Sequence, residues 1–153
     1  MKTLTRLALV AGVYVALTVA LAPISYGMVQ VRIAEALMLL CCIDRRYGIA
    51  LTLGCAIANI FGGFGLTDII IGTLATALSA LMMCRTKNTF LASLWPVLFN
   101  GILVGGMLTW LTATPFWLNA LSVAAGEFIS VSLLGVLLFT LLQKKLGTSF
   151  FHH

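Results

Sequence analysis

MVQVRIAEALMLL, residues 28–40, is an apolar run with Arg32 and Glu35 set three apart at its start. Charged groups at the edge of hydrocarbon are costly unless they are paired or used. The run is also shorter than the roughly 20 residues that a membrane-crossing helix needs. Whether it crosses decides the side of every later loop, and so the whole topology.

The composition around it leaves little doubt about the solvent. The chain has 153 residues, of which 61% are hydrophobic and 8% charged, and its mean hydropathy is +1.13. A soluble globular domain carries about 25% charged residues. The apolar residues come in long runs rather than on single faces, which predicts an all-α, multi-pass integral membrane protein. A single transmembrane domain, residues 1–153, is expected, with nearly all of the chain in the bilayer. The net charge of +5 raises nucleic acid as a partner, but that would need a basic patch on a water-exposed face. Here the cations stand in twos between apolar runs: Lys2/Arg6, Arg45/Arg46, Arg85/Lys87 and Lys144/Lys145. That spacing is topogenic, and no nucleic acid is expected. The first apolar run, about Leu7 to Ala22, leads at once into more membrane sequence and reads as a span, not as a cleaved signal.

Six spans fit: 4–22, 28–43, 47–61, 67–83, 90–111 and 116–142, with a kink expected at Pro96 inside the fifth. With both termini cytoplasmic, every cation except Arg32 faces inward. If residues 28–43 did not cross, Arg45 and Arg46 would move outside and each later loop would invert. Tyr26, Trp110 and Trp117 then fall near the outer interface and Tyr47 near the inner one. Anchoring is the plain reading of these aromatics, and ligand stacking by either Trp is the sharper one.

Small residues recur every four positions in the first span, at Ala8, Gly12, Ala16 and Ala20, so they share one helix face. Ala50/Gly54/Ala58 and Gly101/Gly105 repeat the device. Such stripes serve internal packing or a partner helix. The polar residues away from the cytoplasmic clusters are Arg32, Glu35, Asn59, Asp68, Asn100 and Glu127. Arg32 and Glu35 read either as a self-neutralising i,i+3 pair or as site residues. Asp68 reads either as a helix-start carboxylate favoured by capping and the dipole or as part of a pocket. Asn59 and Asn100 fit interhelical hydrogen bonds. Glu127 has no basic partner within a turn, and an ionisable group inside a membrane is a functional candidate by default. All six could line one outward-opening cavity, closed by the loops Pro23–Gly27 and Gly62–Gly65.

The four cysteines, Cys41, Cys42, Cys55 and Cys84, form no C-x-x-C and have no histidine near them, so no metal is expected and inert buried thiols are. His152 and His153 fit a purification-tag remnant as well as native residues. No phosphate loop, zinc-protease or serine-hydrolase motif occurs. Neither an enzyme nor a chain with its own ATPase is expected.

Two segments carry a resemblance. QVRIAEAL at 30–37 and GCAIANIFGGFGLTDIIIGTLAT at 54–76 are similar to hallmarks of the queuosine-precursor transporter family, the substrate-binding S components of energy-coupling factor (ECF) importers. The likeness covers most of the chain. CCIDRRYG at 41–48 departs from the proline-containing turn expected there. The resemblance implies a multi-pass protein of a prokaryotic cell membrane that captures a 7-deazaguanine from outside. It also implies partners: a transmembrane coupling subunit, and two cytoplasmic ATPase subunits that use ATP, with no cofactor in this chain. The Ala8/Gly12/Ala16/Ala20 ladder matches the family's docking position. A guanine-like ring presents N1–H beside an exocyclic amine, a donor pair that one carboxylate accepts. Glu127 is first for that role, with Glu35 or Asp68 second. Asn59 or Asn100 would meet the O6/N7 edge, and Arg32 would hold Glu35 at the cavity mouth. An S component for another vitamin, a stand-alone carrier, and a small membrane enzyme or assembly factor are the competing readings.

Overall fold

The computed structural model describes residues 2–27 and 29–146; the two readings of His152 and His153 lie outside the described residues. Seven α-helices occur among them, α1 (Lys2–Ala20), α2 (Ala22–Ser25), α3 (Arg45–Ile60), α4 (Gly65–Met83), α5 (Thr89–Thr112), α6 (Phe116–Glu127) and α7 (Val136–Leu146). A 3₁₀ helix, Ile33–Cys42, lies between α2 and α3, and a π-helical segment, Phe128–Gly135, joins α6 to α7. Local chemistry accounts for the boundaries. The Asp44 carboxylate accepts from Arg46 N at 2.9 Å and starts α3. Asn88 Oδ1 accepts from Phe90 N and Leu91 N and starts α5. Both are ordinary N-caps. Helix α5 runs unbroken through the buried Pro96 and ends at Ala113, which takes the left-handed conformation (φ 54°).

Four stretches are long and apolar enough to cross a membrane: Lys2–Ala20, Gly65–Met83, Thr89–Thr112 and Phe116–Lys145. The predicted spans 28–43 and 47–61 do not reach that length. The chain is not helical over 30–32, which leaves ten residues to the 3₁₀ helix and 16 to α3. At about 2.0 Å per 3₁₀ residue the first covers roughly 20 Å. At 1.5 Å per α-residue the second covers about 24 Å. Both fall short of a hydrocarbon core about 30 Å thick.

Packing follows the small residues. A Cβ placed on Gly54 would sit 3.1 Å from Ala11 O, so α1 and α3 lie backbone to backbone there. One on Gly105 would sit 2.7 Å from Ala120 Cα, and one on Gly101 3.2 Å from Ala124 Cβ, which sets the contact of α5 with α6. These two stripes are therefore internal. The ladder on α1 is not: Ala8, Gly12, Ala16 and Ala20 are all exposed, and a Cβ on Gly12 would meet nothing within 4 Å. Tyr14 and Thr18 are the residues that α1 buries. The main core gathers Tyr14, Met38, Leu39, Leu51, Met83 and Val131, and a second cluster at α4–α6 holds Ala75, Val104, Met107, Leu108 and Val123. Large apolar side chains also cover the outside, including Trp110 and Trp117 at 76% and 74% exposure, as expected of residues facing lipid and its interface.

Gly105→Ala is expected to force α5 from α6 because the obstacle is backbone, costing about 1–3 kcal/mol. Thermal unfolding in detergent would read this as a lowered midpoint, whereas Gly12→Ala should leave the midpoint in place.

Candidate functional site

The site is built where the extended stretch before the 3₁₀ helix meets the end of α3 and the start of α4. Arg32, only 3% exposed, donates through Nη1 to Asn59 Oδ1 at 3.1 Å, and its Nη2 lies 3.7 Å from Asp68 Oδ1. Asn59 donates in turn to the carbonyl of Asp68 at 3.1 Å and to Cys55 Sγ at 3.5 Å. Thr76 Oγ1 also donates to Cys55 Sγ, at 3.2 Å. The guanidinium lies 5.7 Å from the centre of the Tyr26 ring, within cation–π range. Tyr26 itself donates to Ala58 O at 2.5 Å. Half-buried, it thus forms one edge of this cluster.

Two expectations need correction. Arg32 does not pair with Glu35. The i,i+3 adjacency belongs to a helix, and Arg32 is still extended (φ −92°, ψ 93°), so its side chain leaves toward α3 and α4. Glu35 instead accepts the Tyr14 hydroxyl proton through Oε1. The capping half of the Asp68 reading fails, since the N-cap of α4 is Phe64, while its helix-start half holds: Asp68 sits in the first turn, fully buried against Arg32.

The Tyr26 and Gly62 turns meet at Asp68. A Cβ on Gly62 would stand 2.5 Å from Asp68 Oδ2 and 3.3 Å from Tyr26 Cε1, so the Gly62 turn and the Tyr26 turn close over Asp68 together. On the other side, a Cβ on Gly126 would stand 2.5 Å from Gln30 O. Backbone contact there sets the extended stretch against α6 beside Glu127. Glu127 is the last residue of α6, at the onset of the π turn. Such local widenings of a helix are frequent at functional sites. Glu127, Glu35 and Arg32 lie within electrostatic reach of one another.

What distinguishes this region is its unmet hydrogen-bonding capacity. Glu35 Oε2, Glu127 Oε2, Asn100 Nδ2, Arg32 Nε and Nη2 and both Asp68 oxygens are buried without a hydrogen-bond partner among the described residues. Each such atom costs about 1–3 kcal/mol if nothing else satisfies it. Five of the six polar residues singled out in the sequence therefore hold binding capacity in reserve, and the sixth, Asn59, spends its own on positioning Arg32. The unpartnered acceptors lie on three carboxylates, Glu35, Glu127 and Asp68, and the unpartnered donors on Arg32 and Asn100. Asn100 is the least integrated: it is buried on α5 but makes no hydrogen bond with the others. Among the described residues no group of three or more His, Cys, Asp or Glu could hold a metal ion.

Tyr14, Gln30, Cys55 and Thr76 were not legible as site residues. Tyr14 lies on the face of α1 opposite the small-residue ladder, and that placement was its one available signal. Cys55, expected to be an inert buried thiol, is indeed buried but sits at the centre of the Thr76–Asn59–Arg32 hydrogen bonds.

Comparison with known proteins now bears on the site. The family model described as QueT transporter matches residues 4–144. This chain belongs to the QueT transporter family. A relative from Lactococcus lactis subsp. cremoris (strain MG1363), named Queuosine precursor transporter QueT, is 32% identical across 95% of each chain. No solved structure matches. Membership in QueT, together with the four long apolar helices, makes this a multi-pass membrane protein and a transporter, not an enzyme.

Asp68→Asn would leave Arg32 buried without its counter-charge, a change that typically costs about 3–5 kcal/mol. The expected outcome is a lower unfolding midpoint in detergent than for Asp44→Asn, whose partner Arg46 is exposed.

Proposed function

We propose that this chain is the substrate-capture subunit of an ECF-type importer and binds a queuosine precursor of the 7-deazaguanine class in the cluster around Arg32. The observation that carries the reading is the set of unpartnered buried polar atoms contributed by Glu35, Glu127, Arg32, Asp68 and Asn100. The relative's name supports the substrate class. Glu127 accepts the ring N1–H and the exocyclic amine. Glu35 has one oxygen held by Tyr14, so it presents the other, Oε2, either to the ring or to a cationic aminomethyl substituent. Asn100 donates to the O6/N7 edge. Arg32 and Asp68, fixed by Asn59, form the polar wall under the Tyr26 and Gly62 turns.

The membrane topology in this proposal has six crossings and cytoplasmic ends. The 3₁₀ helix with its extended lead-in and α3 supply the two short ones, which local packing against α1, α4 and the π segment supports. Docking on a transmembrane coupling subunit uses the ladder Ala8, Gly12, Ala16 and Ala20. Support comes from its exposure along the whole of α1, while the comparable stripes on α3 and α5 are consumed inside the bundle. Two ATPase subunits would drive release to the inside.

Isothermal titration of the detergent-purified chain with 7-cyano- and 7-aminomethyl-7-deazaguanine tests the binding reading, with guanine and thiamine as controls. Saturable binding to a deazaguanine is expected, weakened about tenfold to a hundredfold in Glu127→Gln, the loss of a charge-assisted bond. An active preparation that binds neither deazaguanine would sink the substrate assignment.

Docking is tested separately. Gly12→Leu should abolish co-purification with the coupling subunit and leave ligand affinity unchanged. If affinity falls together with co-purification, the ladder packs inside the protein's working state and is not the docking face.

A further inference from the structure

At the far end of α3 from Asn59, two cavities meet at Arg45, Cys84 and Arg85. One, of about 420 Å³, is an apolar groove between α3 and α4, walled by Ile49, Leu53, Ala77 and Leu81. Its floor is shallow because the helices touch there: a Cβ on Gly48 would lie 3.1 Å from Ala80 Cβ. The other, of about 540 Å³, is more polar and adds Thr86, Lys87 and Gln143 to its border. No acidic side chain lines either cavity. The acid nearest in sequence, Asp44, is committed to Arg46, capping its N–H at 2.9 Å and lying 3.5 Å from its Nε. Arg45, Arg85 and Lys87 have no ion pair among the described residues.

An apolar slot that opens into a patch of three uncompensated cations has the shape and charge of one class of ligand. Basic pockets between membrane helices at the interface hold anionic lipid headgroups, and arginine binds phosphate in a bidentate manner. We propose that these joined cavities form a binding site for an anionic phospholipid. The phosphate sits between Arg45 and Arg85, the headgroup lies toward Lys87, and an acyl chain runs along the groove over Gly48 and Ala80. A free phosphate would use the cations and leave the groove idle. A zwitterionic lipid would bring an ammonium group among three positive charges.

Native mass spectrometry of the full chain in detergent, titrated with phosphatidylglycerol, phosphatidylcholine or inorganic phosphate, tests the proposal. The double substitution Arg45→Gln/Arg85→Gln removes the phosphate contacts. Lys144→Gln/Lys145→Gln removes the same charge outside both cavities. Ala77→Trp fills the groove and keeps the charge. Phosphatidylglycerol should bind the unsubstituted chain and the lysine variant alike, and about tenfold or more weakly both the arginine variant and Ala77→Trp. Three results would each overturn the proposal: equal losses in the arginine and lysine variants, which is general charge attraction; equal retention of phosphatidylcholine, which is greasy adhesion; and phosphate binding with phosphatidylglycerol unaffected by Ala77→Trp, which is a simple anion site.

Discussion

Burial of the Arg32 guanidinium is the constraint on which the rest of this structure turns. Taking one such ion out of water costs several kcal/mol even after relaxation, and the cost is met only by good geometry and further hydrogen bonds. Asn59, at the end of α3, supplies a hydrogen bond, and Asp68, in the first turn of α4, supplies the counter-charge 3.7 Å away. The Tyr26 ring closes a third side. One side chain thus ties the extended stretch, two helices and a surface turn together. Because Arg32 must reach sideways to do this, the backbone stays extended through it and the following helix begins only at Ile33.

That late start shapes the surrounding packing. The 3₁₀ helix places Glu35 against Tyr14 of α1, and it lies along the π segment, where Gly135 comes so near that a Cβ would stand 3.2 Å from Ala36 Cα. Gly126 does the same for the stretch before it. Two irregular helices therefore face each other across the site, each departing from α geometry where backbone and polar groups must come close. Glu127 stands at the junction, its Oε2 buried without a hydrogen-bond partner among the described residues.

Helix α1 has two faces with different tasks. Inward, Tyr14 is held in the main core and its hydroxyl reaches a carboxylate of the site. Outward, the ladder of small residues stays bare. In the proposed function these faces join substrate capture to docking across the thickness of a single helix. The two arginines at the opposite end, Arg45 and Arg85, belong to neither task; the lipid site proposed for them rests on the apolar groove that opens beside them.

Much of this was already determined by the residues alone. The long apolar runs and sparse, paired cations require a helical membrane protein, since only helices satisfy the backbone inside a short apolar segment. Buried ionisable groups are costly enough that Arg32, Glu35, Asp68 and Glu127 stood out by residue type, as did the ladder on α1 by its four-residue period. Pairing was a different matter. Sequence spacing offered Glu35 as the partner of Arg32, but the partner is Asp68, 36 positions away, because spacing predicts contacts only within a regular helix and Arg32 is not in one. The same limit hid Tyr14, Cys55 and the π turn at Glu127. Which stripe of small residues is buried, and which stays exposed, was likewise a decision of the tertiary structure: all three share the four-residue period and differ in what stands opposite them.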